Sequence, residues 1–486
     1  MLVASRAGRW VLTATILGST LAGIDATVVG IALPTLGEDF HVGLSSLQWV
    51  VTSYTLTLAG LLLVGGSLGD RYGRRRTFVV GVAWFAVASV LCGAAPNAPT
   101  LIAARALQGV GGALLTPGSL AILQASFAPT DRGRAIGAWS GFGGVGTALG
   151  PFLGGWLISS VSWRLIFYIN VPVAAAVILI STRHVPETRD ASAAGHVDVV
   201  GGALVSAGLL GIVFGLIEGP TLGWMSAGVL VSLAAGALAL VMFVVHERRT
   251  ANPMMPLEVF ASRQFSAANV VTFVVYGALG GSLFLLPVQL QQVSGYSPLE
   301  AGISLLPVTV IMLALSARSG ALAARIGPRL QMSAGPLVIA VGLALLSTVG
   351  PGANYVGDVL PAIVVFGLGL AIIVAPLTSV ALSSAPGGHA GVASAINNDV
   401  ARTAGLIAVA VLPAAAGLTG AAYLHPDTFN DGFHTAMLIA AAVCASGGLL
   451  AAAMIRNPRR PVVELPEPRH SCAVDGPALA PAGLSR

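Results

Sequence analysis

The sequence predicts an all-α polytopic membrane protein, as judged from its composition, its long apolar segments and the placement of its arginines. Of 486 residues, 55% are hydrophobic and 9% are charged, and the mean hydropathy is +0.87. Soluble domains carry roughly 25% charged residues, so an ordinary soluble surface is excluded. The net charge of +5 comes from arginines in the connections between apolar segments. That placement is typical of membrane topology. We therefore expect a lipid bilayer as partner and no nucleic acid.

Fourteen apolar segments follow one another, each near the length of about 20 residues that crosses a bilayer. Arg6 and Arg9 precede the first segment, which could therefore be a signal peptide. Its apolar character continues to Leu33 without a convincing cleavage site, and this favours a membrane span. An even number of spans places both termini on one side. The segments are 10–33, 47–65, 77–94, 101–123, 135–158, 165–182, 199–216, 225–245, 265–289, 301–323, 330–349, 356–374, 400–418 and 433–454.

A stretch with four arginines and one aspartate, residues 66–76, lies between the second and third segments. Short arginine-rich connections stay in the cytoplasm, so this stretch predicts a cytoplasmic loop and sets the sidedness of the chain. Later arginine pairs fall on the same face, with Arg164 as the main exception, and the opposite connections carry Glu38, Asp39, Glu218, Asp427 and Asp431. We therefore expect a protein of the bacterial inner membrane, with both termini in the cytoplasm.

The basic side chains are arginine throughout, and the chain has no lysine. A Walker phosphate-binding loop requires a lysine, so that route to ATP hydrolysis is closed and an ion gradient or a partner must supply the energy. Cys92, Cys444 and Cys472 have neither metal-ligand nor disulfide spacing, and small buried side chains are expected. We expect no enzyme activity, no metal and no cofactor, with a proton gradient as energy source.

An internal repeat indicates two related halves. Residues 320–329 echo 66–75, with Ala324 in place of Asp70, and each copy follows the second span of a block of six. Repeated halves related by an axis along the membrane normal place the working site between them, near the midplane. The predicted domains are a first half at 1–183, a linker with inserted spans 7 and 8 at 184–263, a second half at 264–456 and a disordered cytoplasmic tail at 457–486.

Asp25 in the first span and Arg105 in the fourth are charges at bilayer depth. Such a charge costs roughly 2.5–3.5 kcal/mol on insertion scales, so it persists where it is paired, hydrated or used. The hypothesis is that a lone Asp25 takes up and releases the transported proton, and that Arg105 sets how readily it does so. Gln108 shares the helix face of Arg105. The alternative is a permanent ion pair that fixes the first span against the fourth.

The fifth span carries glycines four residues apart, which gather on one face and let another helix approach closely. A proline bends the same span. The alternative to a functional role is packing alone. The letters at 141–146 match a dinucleotide fingerprint, but they follow no strand and lie within a span, so we expect no nucleotide. The pattern consists of Gly146, Gly150, Pro151, Gly154 and Gly155.

These stretches together resemble the major facilitator superfamily, and in particular its fourteen-helix drug:proton antiporter branch. The resemblance rests on 66–76, 105–109 and 146–155, with 25–34 in the first span and 163–172 before the sixth. It covers the whole hydrophobic chain. It implies the major facilitator fold, which is two six-helix bundles, here with an inserted helix pair. It also associates the glycine-proline pattern of the fifth span with export by exchange.

The resemblance further implies a cytoplasmic gate, in which the basic loop grips the far half when the cavity faces outward. The expected partner is the start of the thirteenth span, whose helix dipole attracts Asp70. The alternative is that the arginines serve as topology signals alone. The expected gate residues are Gly66, Asp70, Arg71, Gly73, Arg74, Arg75, Asp399 and Arg402.

The residues of the expected cavity favour lipophilic cargo. Some exporters of this branch carry a second acid in the tenth span for divalent cations, but 301–323 contains none. A mostly apolar pocket with a few neutral polar groups suits molecules that are neutral or carry one positive charge. Gly30 also stands where the family more often has asparagine. The cavity candidates are Gln108, Asn269, Tyr276, Gln289, Gln292 and Thr309.

The sequence thus predicts a monomer that exports small lipophilic molecules, such as drugs or antibiotics, in exchange for protons by alternating access. One alternative is a proton symporter that imports a small metabolite, and the glycine-proline pattern argues against it. A second alternative is a non-transporting membrane receptor. Discharge of an imposed pH gradient when substrate is added to inverted vesicles separates the antiporter from the receptor.

Overall fold

The regular structure in the computed structural model is helical throughout the residues that it describes, which are 1–189, 197–251, 253–384, 390–420, 423 and 425–457. This confirms the all-α fold class. The helices are α1 (Arg6–Phe40), α2 (Leu44–Tyr72), α3 (Arg74–Gly93), α4 (Ala98–Ser126), α5 (Pro129–Ser160), α6 (Leu165–Tyr168), α7 (Asn170–His184), α8 (Val199–Leu222), α9 (Ala227–Arg249), α10 (Arg263–Val288), α11 (Pro298–Ser304), α12 (Leu306–Ile326), α13 (Pro328–Leu346), α14 (Leu360–Ser383), α15 (Ala390–Ala415) and α16 (Pro426–Met454). A 3₁₀ turn, Leu257–Ala261, precedes α10, and π-helical turns, Gln289–Val293 and Tyr355–Val359, extend α10 and precede α14.

Thirteen helical segments of the described residues are long and apolar enough to cross a membrane. In this count α6 with α7, and α11 with α12, each form one span. The remaining predicted span corresponds to α5, which has 32 residues and so measures about 48 Å at 1.5 Å per residue. Gly146 and Gly154 of α5 lie against Thr20 and Val28 of α1 in parallel order. Helix α5 therefore packs along α1 and covers the same depth of the membrane.

The basic stretch at 66–76 is not a loop, contrary to the sequence prediction. Helix α2 continues to Tyr72 and α3 begins at Arg74, so Gly73 alone separates them. Its φ of +117° lies in the left-handed region, which glycine adopts without a Cβ clash. The side chains of the stretch therefore project from two helix ends. We call the membrane face that they mark the arginine-rich face.

Replacing Gly73 by alanine is expected to lower the free energy of unfolding by about 1–3 kcal/mol, the usual cost of a non-glycine residue in a strained backbone region. A Cβ there would also lie 2.6 Å from Oε1 of Glu187. Gly69→Ala is the matched control, because it lies within α2 and its Cβ would have no neighbour nearer than 3.9 Å. Thermal unfolding in detergent measures both, and equal midpoints for the two variants would contradict the argument.

Helix α15 begins at Ala390, ten residues before the predicted start of the thirteenth span. The amide of Asn397 donates to Oδ1 of Asn269 at 3.1 Å and to Oγ1 of Thr272 at 2.9 Å, both on α10. Asp399 and Arg402 therefore lie within the helix. The prediction that a helix N-terminus at this point attracts Asp70 is wrong, because polar side chains that looked like a helix start instead join α15 to α10.

The inserted hairpin of α8 and α9 lies across the seam between the two six-helix groups. One apolar cluster contains Leu56 of α2, Val213 and Ile217 of α8, and Leu406 and Ala410 of α15. Glycines bring the two hairpin helices close together, and the outer side of α9 exposes apolar residues suited to lipid. Residues 1–456 form one compact unit. The predicted tail, apart from its first residue, and Cys472 lie outside the described residues, whereas Cys92 and Cys444 are buried thiols.

Candidate functional site

Asp25 of α1 and Arg105 of α4 meet in a buried ion pair, with 0% and 1% of their side chains exposed. Nη1 of Arg105 donates to Oδ2 of Asp25 and, at 2.6 Å, to Oε1 of Gln108. Gln108 lies one helical turn after Arg105, and its Nε2 donates to Oδ1 of Asp25 at 2.7 Å. The three side chains thus form a closed ring of hydrogen bonds between α1 and α4.

Further partners enclose this ring. Nδ2 of Asn170, at the start of α7, donates to Oδ1 of Asp25 at 3.0 Å. Nε2 of Gln108 donates to Oγ of Ser89 at 2.8 Å. The Arg105 guanidinium lies 4.3 Å from the ring centroid of Tyr54, a distance that allows a cation–π interaction. Sequence reasoning did not assign Asn170, Ser89 or Tyr54 to the site, although Asn170 belongs to a quoted family stretch.

The geometry corrects the premise that Asp25 is a lone carboxylate. Its two oxygens accept hydrogen bonds from one guanidinium and two amides, and these partners offset much of the cost of burial. The acid is fully buried in this conformation. Burial alone therefore does not require Asp25 to cycle between charged and neutral forms, and in this conformation Asp25 is paired with Arg105.

The two six-helix groups are joined at the face opposite the arginines. A Cβ on Gly155 of α5 would lie 2.4 Å from the Pro298 carbonyl oxygen, and one on Gly302 would lie 2.2 Å from that of Pro151. In addition, Nε2 of Gln48 donates to the carbonyl of Val409 at 2.7 Å. Because backbone meets backbone at the glycines, the two groups are closed tightly at this face.

The other half of α5, which leads to the arginine-rich face, lies beside open space. In this part of the described chain, a Cβ on any of five glycines would have no atom within 4 Å. The structure is thus closed at one face, and the half of α5 that leads to the other face has no close neighbour at these glycines. The five are Gly133, Gly137, Gly141, Gly143 and Gly144.

Gly146, Gly150 and Gly154 press α5 against α1, so close packing accounts for these three positions. Pro151 lacks the N–H that would bond the carbonyl of Thr147. Oγ1 of Thr27 donates to that carbonyl instead, at 2.9 Å. The glycine-proline pattern therefore joins α5 to α1, and only Gly155 and Pro151 also touch the second group.

The predicted cavity residues do not come together. Gln108 belongs to the ion-pair ring, and Asn269 binds α15. Nε2 of Gln289 donates to the carbonyl of Val349 and to Asn430, so it serves contacts within the second group. Gln292 lies at the end of the span Arg263–Val293, near Tyr423, which is outside the spans and whose pKa is raised mainly by burial. Tyr276 and Thr309 are half-buried.

The predicted gate residues at the α2–α3 turn contact one another and the segment after α7. Oδ1 of Asp70 pairs with Nη2 of Arg74 at 2.7 Å. Glu187 accepts from the Arg75 backbone N–H at 3.1 Å, and Nη1 of Arg75 donates to the carbonyl of Val185. Within the described residues, no ion pair joins Asp70 to Arg402 of α15. The stretch instead ties α2 and α3 to the segment after α7.

Sequence and structure comparisons with known proteins point to one family. The sequence profile of the Major Facilitator Superfamily matches residues 15–410. The chain is 38% identical over 401 residues to the tetracenomycin C resistance and export protein of Streptomyces glaucescens, covering 82% of this chain and 74% of that one. It is 36% identical over 416 residues to the multidrug resistance protein Stp of Mycobacterium tuberculosis, covering 85% and 77%. A crystal structure of a D-xylose-proton symporter has the same fold, with a TM-score of 0.65 at 16% identity over 92% of this chain and 98% of that one.

Proposed function

The chain belongs to the major facilitator superfamily, and on that premise we propose that it exports lipophilic drugs or antibiotics, neutral or singly positive, in exchange for protons. The observation that carries the proposal is the identity of 38% to a resistance and export protein over 82% of this chain. A second relative, at 36% identity, is a multidrug resistance protein. The absence of acids from 301–323 agrees with cargo that is not a divalent cation.

Alternating access between the two six-helix groups is the proposed mechanism. The arginine-rich face is cytoplasmic by the distribution of basic residues, so this conformation receives cargo from the cytoplasm along α5. Both termini are then cytoplasmic in a bacterial inner membrane, and the functional unit is a monomer. Export requires the two six-helix groups to separate at the contacts of Gly155 and Gly302 and to come together at the arginine-rich face.

The proposed coupling group is Asp25. In the conformation described, its carboxylate is held by Arg105 and shielded from water. When the opposite face opens, α1 and α4 separate enough for a proton from outside to bind the carboxylate. Arg105 then keeps the Gln108 amide oxygen and the Val50 carbonyl as partners, both of which it already contacts. Return to the closed pair expels the proton toward the cytoplasm. Substrate and proton thus move in opposite directions.

The gate is expected to act in the conformation opposite to this one. Here the Asp70–Arg74 pair is partly exposed and so contributes little to stability, about 0–1 kcal/mol. If Asp70 holds the outward-open state, Asp70→Ala leaves the protein open to the cytoplasm and lowers export about 5–150-fold, which corresponds to a coupling of 1–3 kcal/mol. Thiol labelling of a Gly141→Cys variant reports this opening.

The control for the gate is Arg76→Gln. The Arg76 side chain is 67% exposed, and its ion pair with Glu187 is weak because Nε of Arg76 and Oε2 of Glu187 are 3.8 Å apart. Export and labelling in this variant are expected to match the wild type. Unchanged transport in Asp70→Ala, with unchanged labelling, would mean that the arginines act as topology signals alone.

Inverted vesicles with an acidic interior test the proposed function. Addition of a lipophilic antibiotic outside is expected to release protons from the interior, since cargo enters as protons leave. A symporter that imports metabolites would give no such release, because its substrate and proton move together. A receptor would leave the gradient unchanged. Vesicles without the protein provide the baseline.

A further inference from the structure

Two carboxyl groups meet outside the ion-pair ring, at the end of the α8–α9 hairpin that lies on the arginine-rich face. Asp198 caps the N-terminus of α8, and its Oδ1 accepts from the Gly201 N–H at 2.8 Å. Glu247, near the end of α9, is 3% exposed. A Cβ on Gly201 would lie 2.5 Å from Oδ2 of Asp198 and 3.0 Å from Oε1 of Glu247. These two oxygens therefore converge on one point.

Neither of the converging oxygens has a hydrogen-bond donor among the described residues. The other oxygen of each group is occupied. Nε2 of His246 lies 2.8 Å from Oδ1 of Asp198, and the Met255 N–H donates to Oε2 of Glu247 at 3.0 Å. Two carboxyl groups whose free oxygens converge with no donor between them favour holding one proton, because repulsion and desolvation oppose ionisation of both.

We propose that Asp198 and Glu247 form a proton-binding site that is separate from the export path and shares one proton between Oδ2 of Asp198 and Oε1 of Glu247. The proton is held by the neutral member as an O–H that donates to the ionised one. The surroundings indicate which member is neutral. Burial raises the pKa of Asp198, but the Gly201 N–H and the His246 ring outweigh it and hold that pKa below its usual value. Glu247 therefore carries the proton.

Among the residues that the structure describes, few other charges bear on the site. His246 is the charged or titratable group that touches it from α9, and Arg248, Arg249 and Glu258 are exposed to solvent. Helix α2 presents Val64 where it meets Gly202 of α8. The contacts of Met255 with the helices α10 and α15 are apolar. The shared proton is thus controlled by these two carboxyls and one imidazole.

The shared proton stabilises the contact between the α8–α9 hairpin and the second six-helix group. Met255 donates its N–H to Glu247, and its side chain packs with Val259, Phe265 and Ile396 at the arginine-rich end of that group. Loss of the proton leaves a second negative charge in a buried place. The Met255 N–H by itself favours an ionised Glu247, but burial and the neighbouring Asp198 together oppose that charge more strongly, so Glu247 moves toward solvent and the Met255 bond loosens. The contact between Met255 and Glu247 is therefore present at low pH and lost as the pH rises. The proton responds to cytoplasmic pH and is not carried across the membrane.

Hydrogen exchange of the Met255 amide in the full-length protein, between pH 5 and 9, tests the site. In the wild type, the protection of this amide, after correction for the intrinsic exchange rate, is expected to fall as the pH rises. Glu247→Gln is expected to remove this dependence and keep protection high, because an amide N–H takes the place of the shared proton. Asp198→Asn is also expected to remove it, since asparagine caps α8 equally well and carries no charge.

Glu300→Gln is the control, because Glu300 forms a capping box with Ser297 far from the hairpin in the chain, and it should keep the wild-type dependence. The proposal is overturned by wild-type protection that does not change with pH, or by a Glu247→Gln variant whose protection still falls. The protonated carboxylic C=O band in infrared spectra gives a second readout, which Glu247→Gln should remove and Asp25→Asn should leave in place. Proton stoichiometry of export in Glu247→Gln is expected to equal that of the wild type.

Discussion

Replacing Asp25 by asparagine is expected to abolish proton-driven export while passive exchange of substrate continues. The carboxylate is the proposed proton carrier, and asparagine keeps its shape and accepts from Arg105 but binds no proton. In the wild type, each coupled proton supports an accumulation ratio of about tenfold per unit of pH difference, because one unit corresponds to 1.36 kcal/mol. In Asp25→Asn this ratio is expected to fall to one. Reconstituted vesicles with and without a pH gradient measure it.

A purely structural role for the ion pair predicts a different outcome. Removing one member of a buried pair leaves the other uncompensated and commonly costs about 3–5 kcal/mol, so Asp25→Asn would lose folding and passive exchange together. The double variant Asp25→Asn with Arg105→Gln removes both charges and serves as the control for folding. If the double variant folds and still accumulates substrate in response to a pH gradient, Asp25 is not the coupling group.

Replacing Gly155 or Gly302 by alanine is expected to open the face that is closed in this structure. Each new Cβ would lie within 2.4 Å of a backbone carbonyl oxygen of the other six-helix group, and backbone cannot turn aside as a side chain can. Overpacking of this kind costs about 1–3 kcal/mol. The cost falls on the closed conformation, so the population shifts toward the state open at the opposite face and export slows by about 5–150-fold.

The matched control for these glycines lies in the same helix. Gly141→Ala and Gly144→Ala add the same methyl group to α5, where no atom lies within 4 Å. Both are expected to fold normally and to keep export near the wild-type rate. Spectroscopic distances between labels on the two groups, at the face opposite the arginines, report the opening directly. Equal export in the Gly155 and Gly141 variants would show that the contact with Pro298 does not limit the cycle.

The least predictable boundaries were those set by contacts between helices. The predicted loop at 66–76 contains four arginines and looks like a connection, yet Asp70 and Arg74 pair across the turn, and α2 and α3 are separated by Gly73 alone. The sequence predicts the start of the thirteenth span at residue 400, whereas α15 begins at Ala390, because polar residues such as Asn397 are typical of a connection. Their hydrogen bonds go to α10 and are invisible in a local pattern.

The amino-acid sequence by itself determined the all-α membrane class, the family motifs and the alignment of arginines on one face. These properties follow from apolar segment length and charge placement, which are local along the chain. Only the tertiary structure decided that Asp25 has three partners, that the α8–α9 hairpin lies across α2 and α15, and that Gly155 touches the second group while Gly141 faces open space. Those outcomes depend on which helices pack together, since residues far apart in the chain supply the partners of each buried group.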